Sequence, residues 1–216
     1  MTALTWDKTG EHVYETGVSN GVLYKYDKTG KTYKTGVAWN GLTTVTMSPE
    51  GAESNAVYAD NIKYLDLISA EEMKFTIEAV TYPDEFAECD GTAAIAEGVY
   101  IGQQERAKFA FCYRNKIGND QDSEAGYKLH IVYNATAAPS ERAYATVSDS
   151  PEAITFSWEC STTPVPVANR KPTAELIIDS TKVAPAKLKK IEAKLYGDDS
   201  GQPTLLTPDE VLALLA

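Results

Sequence analysis

Residues 48–91 read SPEGAESNAVYADNIKYLDLISAEEMKFTIEAVTYPDEFAECDG, and their pattern decides the fold class. Apolar and polar side chains alternate strictly from residue 73 to residue 79, where Phe75 and Ile77 are flanked by Lys74, Thr76 and Glu78. A period of two is typical of a β-strand with one buried face. Residues 62–68 form a second strand candidate immediately before it. The stretch therefore predicts two consecutive strands.

The remainder of the same stretch predicts a loop and a short helix. Residues 48–61 contain Pro49, Gly51 and several small polar side chains, which indicates a loop of about 14 residues, long enough to be functional or mobile. Residues 83–89 begin with a proline followed by two acidic residues, which favour a helix N-terminus, and end before Gly91. We expect Phe86 to anchor this helix to the core.

The rest of the chain continues the β pattern until its C-terminal part. Further strand candidates are residues 37–47, 106–116, 127–135, 154–160 and 174–178. Helical spacing appears after Pro185, and Thr207 to Glu210 form a capping box that begins a second helix. About eight strands predict a mainly β protein, an antiparallel β-sandwich or barrel with a short mid-chain helix and C-terminal helices in residues 183–216. We find no linker and predict a single domain over residues 1–216.

Two polar segments of the chain lie outside these strand and helix candidates, one at the N-terminus and one between two strands. Asp7 to Val18 carries a pattern that recurs from Asp27 to Val37, which predicts two similar turn-plus-strand units. Residues 1–36 are then either an arm that reaches a neighbouring subunit or an ordinary edge hairpin. The acidic segment 118–126 predicts the exposed tip of a hairpin formed by the strands on either side of it.

Charge and cysteine content restrict the function classes. The formal net charge is −11, which argues against a protein that grips nucleic acid but not against one that lets it slide past. The three cysteines, Cys89, Cys112 and Cys160, lie in or beside apolar runs without CxxC spacing, so we expect buried thiols in a reducing compartment. The sequence shows neither a signal peptide nor an apolar run that could span a membrane.

The chain carries no pattern of an enzyme, and we expect no catalytic residues, cofactor or metal ligands. Only His12 and His130 could serve as a histidine base, and no nucleophile elbow accompanies them. The acidic residues cluster around Asp84 and around Asp122, which is more typical of solvated loops than of paired catalytic carboxylates. Weak binding of a divalent cation at residues 118–126 is the less favoured alternative.

Three segments resemble the major tail protein, or tail tube protein, of long-tailed, siphovirus-type bacteriophages. They are YADNIKYLDLISAEE at 58–72, FTIEAVTYPDEFAECDG at 75–91 and DSPEAITFSWECSTTPV at 149–165. The resemblance extends over nearly the whole chain. It implies a structural virion protein that self-assembles into stacked hexameric rings, forming a hollow tube through which DNA passes during infection.

The resemblance also implies partners and surfaces. The partners are further copies of the chain, tail tip or baseplate and tail terminator proteins, a tape-measure protein in the lumen, and genomic dsDNA that passes without sequence-specific binding. The resemblance places the protein in the phage tail, which is assembled in the bacterial cytoplasm, and implies no membrane partner. Residues 48–61 become an inter-ring stacking loop represented by Pro49, Glu50, Glu53, Tyr58 and Asp60. Strands 37–47, 62–68, 106–116 and 127–135 become candidates for the inner wall, represented by Thr44, Thr46, Lys63, Lys108, Lys128 and His130.

Two other function classes remain open. The tyrosine and tryptophan content also suits a carbohydrate- or surface-binding β-sandwich module. The abundance of carboxylates leaves a hydrolase with two acidic catalytic residues as a third hypothesis, which requires a cleft that brings an Asp or Glu pair together.

Overall fold

The computed structural model describes residues 3–147, 149, 153–199 and 201–216 of the chain. Every strand pair in it is antiparallel. The strands, in chain order, are β1 (Val13–Asp27), β2 (Thr32–Tyr33), β3 (Val37–Trp39), β4 (Leu42–Gly51), β5 (Ser54–Ala59), β6 (Ile62–Ile68), β7 (Glu71–Ala79), β8 (Ala93–Ala96), β9 (Val99–Ile101), β10 (Phe109–Asn119), β11 (Gly126–Ala137), β12 (Phe156–Ser161) and β13 (Glu175–Asp179). A 3₁₀ turn, Asp84–Phe86, lies mid-chain, and the helices are α1 (Pro185–Tyr196) and α2 (Pro208–Leu215).

A central layer is built from β1, β10, β11 and β13. β1 lies beside β10 from the pair Val13 and Asn119 to the pair Lys25 and Phe109. β11 follows β10 as a hairpin, and β13 pairs with the far side of β11. The short strands β2 and β3 both pair with β1. The longest strands of the chain therefore form one layer with two faces to cover.

A second layer, made of β4, β7 and β12, covers one face of the central layer. β7 lies between the other two strands, and β12 meets the end of β11 where Thr136 pairs with Ser161. The alternation that predicted β7 is confirmed, because Phe75 and Ile77 point into the core while Lys74 and Thr76 lie on the opposite face.

Aromatic rings fill the space between these two layers. The Phe86 ring lies 4.5 Å from that of Trp39, 5.0 Å from that of Trp158 and 5.4 Å from that of Phe109, measured between ring centroids. The indole N–H of Trp39 donates to the carbonyl of Thr81 at 2.9 Å, so the ring is buried without leaving its donor unpaired. The predicted role of Phe86 as an inward anchor is confirmed.

The two helices cover the other face of the central layer. Leu188, Ile191 and Leu195 of α1 pack against that face, and α2 adds Val211. The Tyr24 hydroxyl donates to the carbonyl of Leu195 at 2.5 Å across this interface. The capping box predicted at the start of α2 is present. The structure thus confirms a mainly β, antiparallel sandwich with C-terminal helices on its flank; residue 200 of segment 183–216 lies outside the described residues.

Residues 37–47 are two strands rather than the single strand predicted. β3 belongs to the central layer and β4 to the second layer, and the chain crosses between them at Gly41, whose φ is +77°. A Cβ added to Gly41 would meet the Thr81 side chain at 2.7 Å, so the crossing requires glycine on two counts. Side-chain alternation alone could not show that the strand changes partner.

The prediction of a loop at residues 48–61 is wrong, because most of these residues lie in strands. β4 extends through Gly51, and residues 54–59 are β5. Both strands are rich in small polar or exposed side chains, so the pattern of a one-sided buried strand is missing. The helix predicted at 83–89 is shortened to the 3₁₀ turn Asp84–Phe86, with further turns up to Gly91.

The N-terminal repeat does not produce two similar units. Its first copy runs into β1, a long strand of the central layer, whereas its second copy runs from the last residue of β1 through the two-residue strand β2 to the first residue of β3. Most of segment 1–36 is thus part of the sandwich, and only the residues before Val13 precede it. Residues 1 and 2 lie outside the described residues.

The expectation of buried, unbridged cysteines is confirmed. Cys89, Cys112 and Cys160 are all buried as free thiols. Burial raises the pKa of Cys89 and of Cys112 to about 12, because the thiolate would lose its hydration inside the core. The three side chains therefore act as small apolar groups.

Replacing Phe86 by alanine is expected to lower the free energy of unfolding by about 3–5 kcal/mol, since it removes the ring shared by four aromatic neighbours. Urea unfolding followed by tryptophan fluorescence measures this loss. Tyr100→Ala, at an exposed ring, serves as the control and should change stability by less than about 0.5 kcal/mol. Equal effects of the two substitutions would show that the ring cluster is not the core.

Candidate assembly surfaces

β5 and β6 form a hairpin that continues the β4–β7 pair beyond the sandwich; we call residues 54–68 the projecting hairpin. Within the part of the chain that the structure describes, its strands pair with each other alone, as a separate two-stranded sheet. All its residues in β5 and β6 are exposed except Ala59, which is partly covered. A two-stranded sheet without cover is marginally stable in water. This exposure makes it the foremost candidate for a contact surface.

A kink joins the projecting hairpin to the sandwich. Gly51 has a φ of +84°, and Ala52, the next residue, has a φ of +54°. Two hydrogen bonds close the kink, from the Glu53 N–H to the Ser69 hydroxyl and from the Ser69 N–H to the Glu53 carbonyl, both at 3.0 Å. A Cβ at Gly51 would lie 2.3 Å from the carbonyl oxygen of Ala70. Only glycine fits at this position.

The tip of the projecting hairpin is a tight two-residue turn. Asp60 and Asn61 have φ values of +51° and +61°. Two consecutive left-handed residues are the signature of the turn type that matches the twist of paired strands, and Asp and Asn tolerate it better than other side chains. The turn therefore sets the register that pairs Ala59 with Ile62.

The two faces of the projecting hairpin differ in chemistry. Val57 lies opposite Leu65, and with Ile62 and Leu67 these side chains make one face mainly apolar, Asn55 being its polar member. The other face is mixed: it carries Tyr58, Ile68 and an ion pair between Lys63 and Asp66, at 2.6 Å. Exposed apolar side chains gathered on one face indicate a surface that another molecule covers.

A second exposed surface is the outer face of the β4–β7–β12 layer, which is polar. Its side chains point away from the aromatic core and lie in register across the three strands; they are Thr44, Thr46, Ser48, Glu50, Glu72, Lys74, Thr76, Glu78, Ser157, Glu159 and Ser161. Four are acidic and one is basic. The carboxylate of Glu50 hydrogen-bonds Lys74 and raises the pKa of that amine. We call this surface the polar face; it needs no cover to be stable in water.

The structure separates the six residues predicted for the inner wall. Thr44 and Thr46 lie on the polar face. Lys63 lies on the projecting hairpin, and Lys108 is exposed just before β10, with its carbonyl accepting from the Tyr26 N–H. These four residues therefore do not share one surface.

The other two, Lys128 and His130, belong to a hydrogen-bonded network on the central layer. His130 is 9% exposed, and its Nδ1 and Nε2 lie 2.8 Å from Glu175 Oε1 and Asn115 Oδ1 respectively. Asn115 donates to Glu15, and Lys128 forms an ion pair with the same carboxylate, which lowers the pKa of Glu15. β10 and β11 are buried on both faces over most of their length. The polar side chains of these strands here join β1, β10, β11 and β13, and the place of Lys128 and His130 in an inner wall stays a prediction.

The five residues predicted for a stacking loop are all exposed, but they do not form a loop. Pro49 and Glu50 lie in β4, where Pro49 pairs with Met73 at the unshared edge of the sheet, a position that tolerates proline. Glu53 lies at the kink, Tyr58 on the projecting hairpin and Asp60 at its tip. Their role in stacking stays a prediction.

The acidic turn between β10 and β11 is held by local contacts. The Gly10 N–H donates to both carboxylate oxygens of Asp120 at 2.9 Å, which lowers the pKa of Asp120. His12 lies 3.3 Å from the same carboxylate, and Glu124 pairs with Lys116 at 2.7 Å. Among the described residues, no cluster of three or more His, Cys, Asp or Glu side chains could hold a metal ion.

Sequence reasoning missed a second exposed hairpin, β8–β9. Ile95, Val99 and Tyr100 are exposed on it, and Glu97-Gly98 forms its turn, with Gly98 at a φ of +74°. The signal was present as a glycine-containing pair between two short apolar runs. The runs were too short to show a clear period.

The similarity of the chain to known proteins is remote. No protein-family model and no curated protein matches the chain. One similar solved chain belongs to the anti-feeding prophage baseplate, with 7% identity and a TM-score of 0.36, covering 82% of this chain and 97% of that one. Another belongs to the sheath–tube complex of an extracellular contractile injection system in its extended state, with 11% identity and a TM-score of 0.33, covering 74% and 88%. These similarities are too low to assign a function. No helix in the described part of the chain is long and apolar enough to cross a membrane.

Replacing Gly51 by alanine is expected to disorder the projecting hairpin while leaving the sandwich folded, because the new Cβ would collide with the Ala70 carbonyl. Hydrogen exchange should accelerate in residues 54–68 and stay slow in β10 and β11. The matched control is Gly98→Ala, at a similar positive φ but with open space around the new Cβ. Unchanged exchange in the hairpin of the Gly51 variant would contradict the proposed base.

Proposed function

We propose that this protein is a structural subunit that assembles into hexameric rings, which stack into the hollow tail tube of a long-tailed bacteriophage. The projecting hairpin is the observation that carries the proposal. It presents Val57, Leu65 and Leu67 to solvent on a sheet that no other element of the described residues packs against. A second copy of the chain is the occupant that a self-assembling subunit supplies. The sequence resemblance of residues 58–72 and 75–91 to tail tube proteins supports the same conclusion.

The edge of the second layer also suits assembly. β4 lies at the end of the strand order, so one of its two sides has no partner strand within the described chain. Free edges attract further strands, and closing a barrel across subunits removes them. A ring in which β4 meets a neighbouring subunit would protect this edge.

The polar face is the proposed lumen wall. Four glutamates and one lysine give it a formal charge of −3, and six copies would contribute 6 × −3 = −18 to each ring. Phosphate groups are repelled by such a wall and find no lysine or arginine cluster to hold them. DNA would therefore pass without being retained. This assignment keeps Thr44 and Thr46 of the predicted wall and replaces the other four residues.

The remaining parts of the proposal follow from this role. The subunit is not an enzyme and needs no cofactor. Its partners are further copies of itself, the tail tip or baseplate and terminator proteins at the tube ends, a tape-measure protein in the lumen during assembly, and passing genomic dsDNA. Assembly takes place in the bacterial cytoplasm, and the product is part of the virion.

Replacing both Leu65 and Leu67 by threonine is expected to prevent tube formation, because it removes much of the apolar face while keeping residues suited to a strand. Negative-stain electron microscopy and sedimentation at a concentration where the wild-type chain forms tubes provide the measurement. We expect a folded monomer with an unchanged circular dichroism spectrum.

The matched control replaces Ile95 and Val99, two comparably exposed apolar residues of β8–β9, by threonine. This control should still form tubes. A wild-type chain that stays monomeric at all concentrations, even with the other tail proteins present, would overturn the proposed function.

Reversing the charge of the polar face is expected to make assembled tubes retain DNA. The triple substitution of Glu72, Glu78 and Glu159 by lysine changes the formal charge of that face from −3 to +3 per subunit. Short linear dsDNA should then co-sediment with the tubes at low salt and be released at high salt.

The control for this experiment carries the same change in net charge elsewhere, with Glu97, Asp122 and Asp199 replaced by lysine. Retention of DNA by both variants to the same degree would argue against the polar face as the lumen wall.

A further inference from the structure

The segment before β1, residues 3–9, exposes apolar side chains that nothing in the described chain covers. Leu4 is 80% and Trp6 is 78% exposed. The segment is fixed only at its base, where the Gly10 N–H bonds Asp120 and the Glu11 N–H donates to the Lys8 carbonyl. A tryptophan side chain buries roughly 150–250 Å² when it is covered. An exposed one on an extended segment is therefore a strong candidate for insertion into another surface.

An open groove on the same subunit suits such a side chain. It has a volume of about 560 Å³ and lies where β1, β3 and the start of β4 meet the end of α1. Its lining includes Gly36, Ala38, Leu42, Tyr196 and Pro203, and none of its described lining residues carries a charge. Gly21 and Gly41 also line the groove, and it is wide there because glycine has no side chain. An uncharged groove with aromatic and aliphatic walls fits an indole ring.

Trp6 does not occupy the groove of its own subunit, since its side chain is 78% exposed. Gly10 is held at Asp120, beyond the pair of Val13 and Asn119 at the end of β1. The groove begins at Val18, about 17 Å from Val13 along the strand in the opposite direction. Trp6 is four residues from Gly10, so the distance between their Cα atoms is at most about 14 Å, even in a fully extended chain. The groove thus lies on the opposite side of Val13 from Trp6 and is open to Trp6 of a neighbouring subunit.

We propose that Trp6 and Leu4 of one subunit insert into this groove of a second copy of the chain. The proposal rests on the self-association proposed above and adds a contact between two different surfaces. Such a head-to-tail contact can be repeated from subunit to subunit, as rings and stacked assemblies require.

The area involved explains why this contact acts only in an assembly. One tryptophan and one leucine cover a few hundred Å² together with the groove, whereas a stable specific interface buries about 1,200–2,000 Å². The contact is too small to hold a dimer. It contributes when the projecting hairpin and the sheet edge of the same neighbours are also engaged.

Photo-crosslinking tests the proposal directly. A variant with the photoreactive substitution Trp6→p-benzoylphenylalanine is mixed in equal amounts with ¹⁵N-labelled wild-type chain. The mixture is assembled and irradiated, and the crosslinked peptides are identified by mass spectrometry. We expect crosslinks from position 6 to the peptide containing Ala38 and Leu42, joining a labelled to an unlabelled chain. Crosslinks from position 6 that map only to other surfaces, or only within one chain, would overturn the proposal while leaving the proposed function intact.

Substitutions supply an independent measurement. Trp6→Ser removes the inserted side chain, and Ala38→Phe fills the groove from an exposed strand position. Each should raise the concentration for half-maximal assembly at least about tenfold, and the double variant should be little worse than either single one, because both remove the same contact. Tyr144→Ser, at a ring that is also exposed, is the control and should stay within twofold.

Three outcomes decide the matter. Assembly by both single variants at the wild-type concentration, or fully additive effects, would overturn the insertion of Trp6 into the groove. A wild-type chain that never assembles would overturn this contact and the tube function together. Inter-chain crosslinks to the groove with non-additive losses would support the contact.

Discussion

Strands β10 and β11 are buried on both faces, and the rest of the structure follows from the need to cover them. Phe109 and Phe111 face the aromatic core, while Ala110 and Cys112 face the helices. A one-residue slip in register would place the aromatic rings against the helices and the small side chains in the ring cluster. The second layer and the helices each supply one cover. The projecting hairpin and β8–β9 belong to neither the second layer nor the helices, and they form separate two-stranded sheets at the surface.

Much of the fold could be predicted from the sequence, wherever one periodicity ran uninterrupted. β7, β11 and α1 show their buried faces through simple spacing, and α2 carries a complete capping box. Only the first part of β1 was predicted, within a short turn-plus-strand unit; its full length was missed because its register shifts twice near Ser19, and Asn20 takes a positive φ. β5 escaped because both its faces are exposed, so burial imposed no pattern on it.

The candidate surfaces were harder to predict from the sequence than the strands. Alternation separates the two faces of a strand but does not show which face meets water. The alternation puts His130 on the same face as Lys128, which suggests an exposed side chain, yet Glu175 from a strand far along the chain covers it. Thr44 and Thr46 lie on the polar face, because β4 has the aromatic core on one side only, and their place in an inner wall stays a prediction. The projecting hairpin required knowledge of where β4 ends, which Gly51 determines through backbone geometry.

The pairing of β1 with β10 has a consequence for the order of folding. Its partners, such as positions 13 and 119, lie far apart along the chain, whereas the strands of the projecting hairpin are separated by two residues. Closing a long loop costs entropy before any contact compensates it, so domains dominated by such pairs fold slowly, while a hairpin forms in microseconds. The hairpin can therefore exist before the central layer does. Its apolar face is available to other molecules from the earliest stage of folding, and a newly made chain is open to premature association until its core has closed.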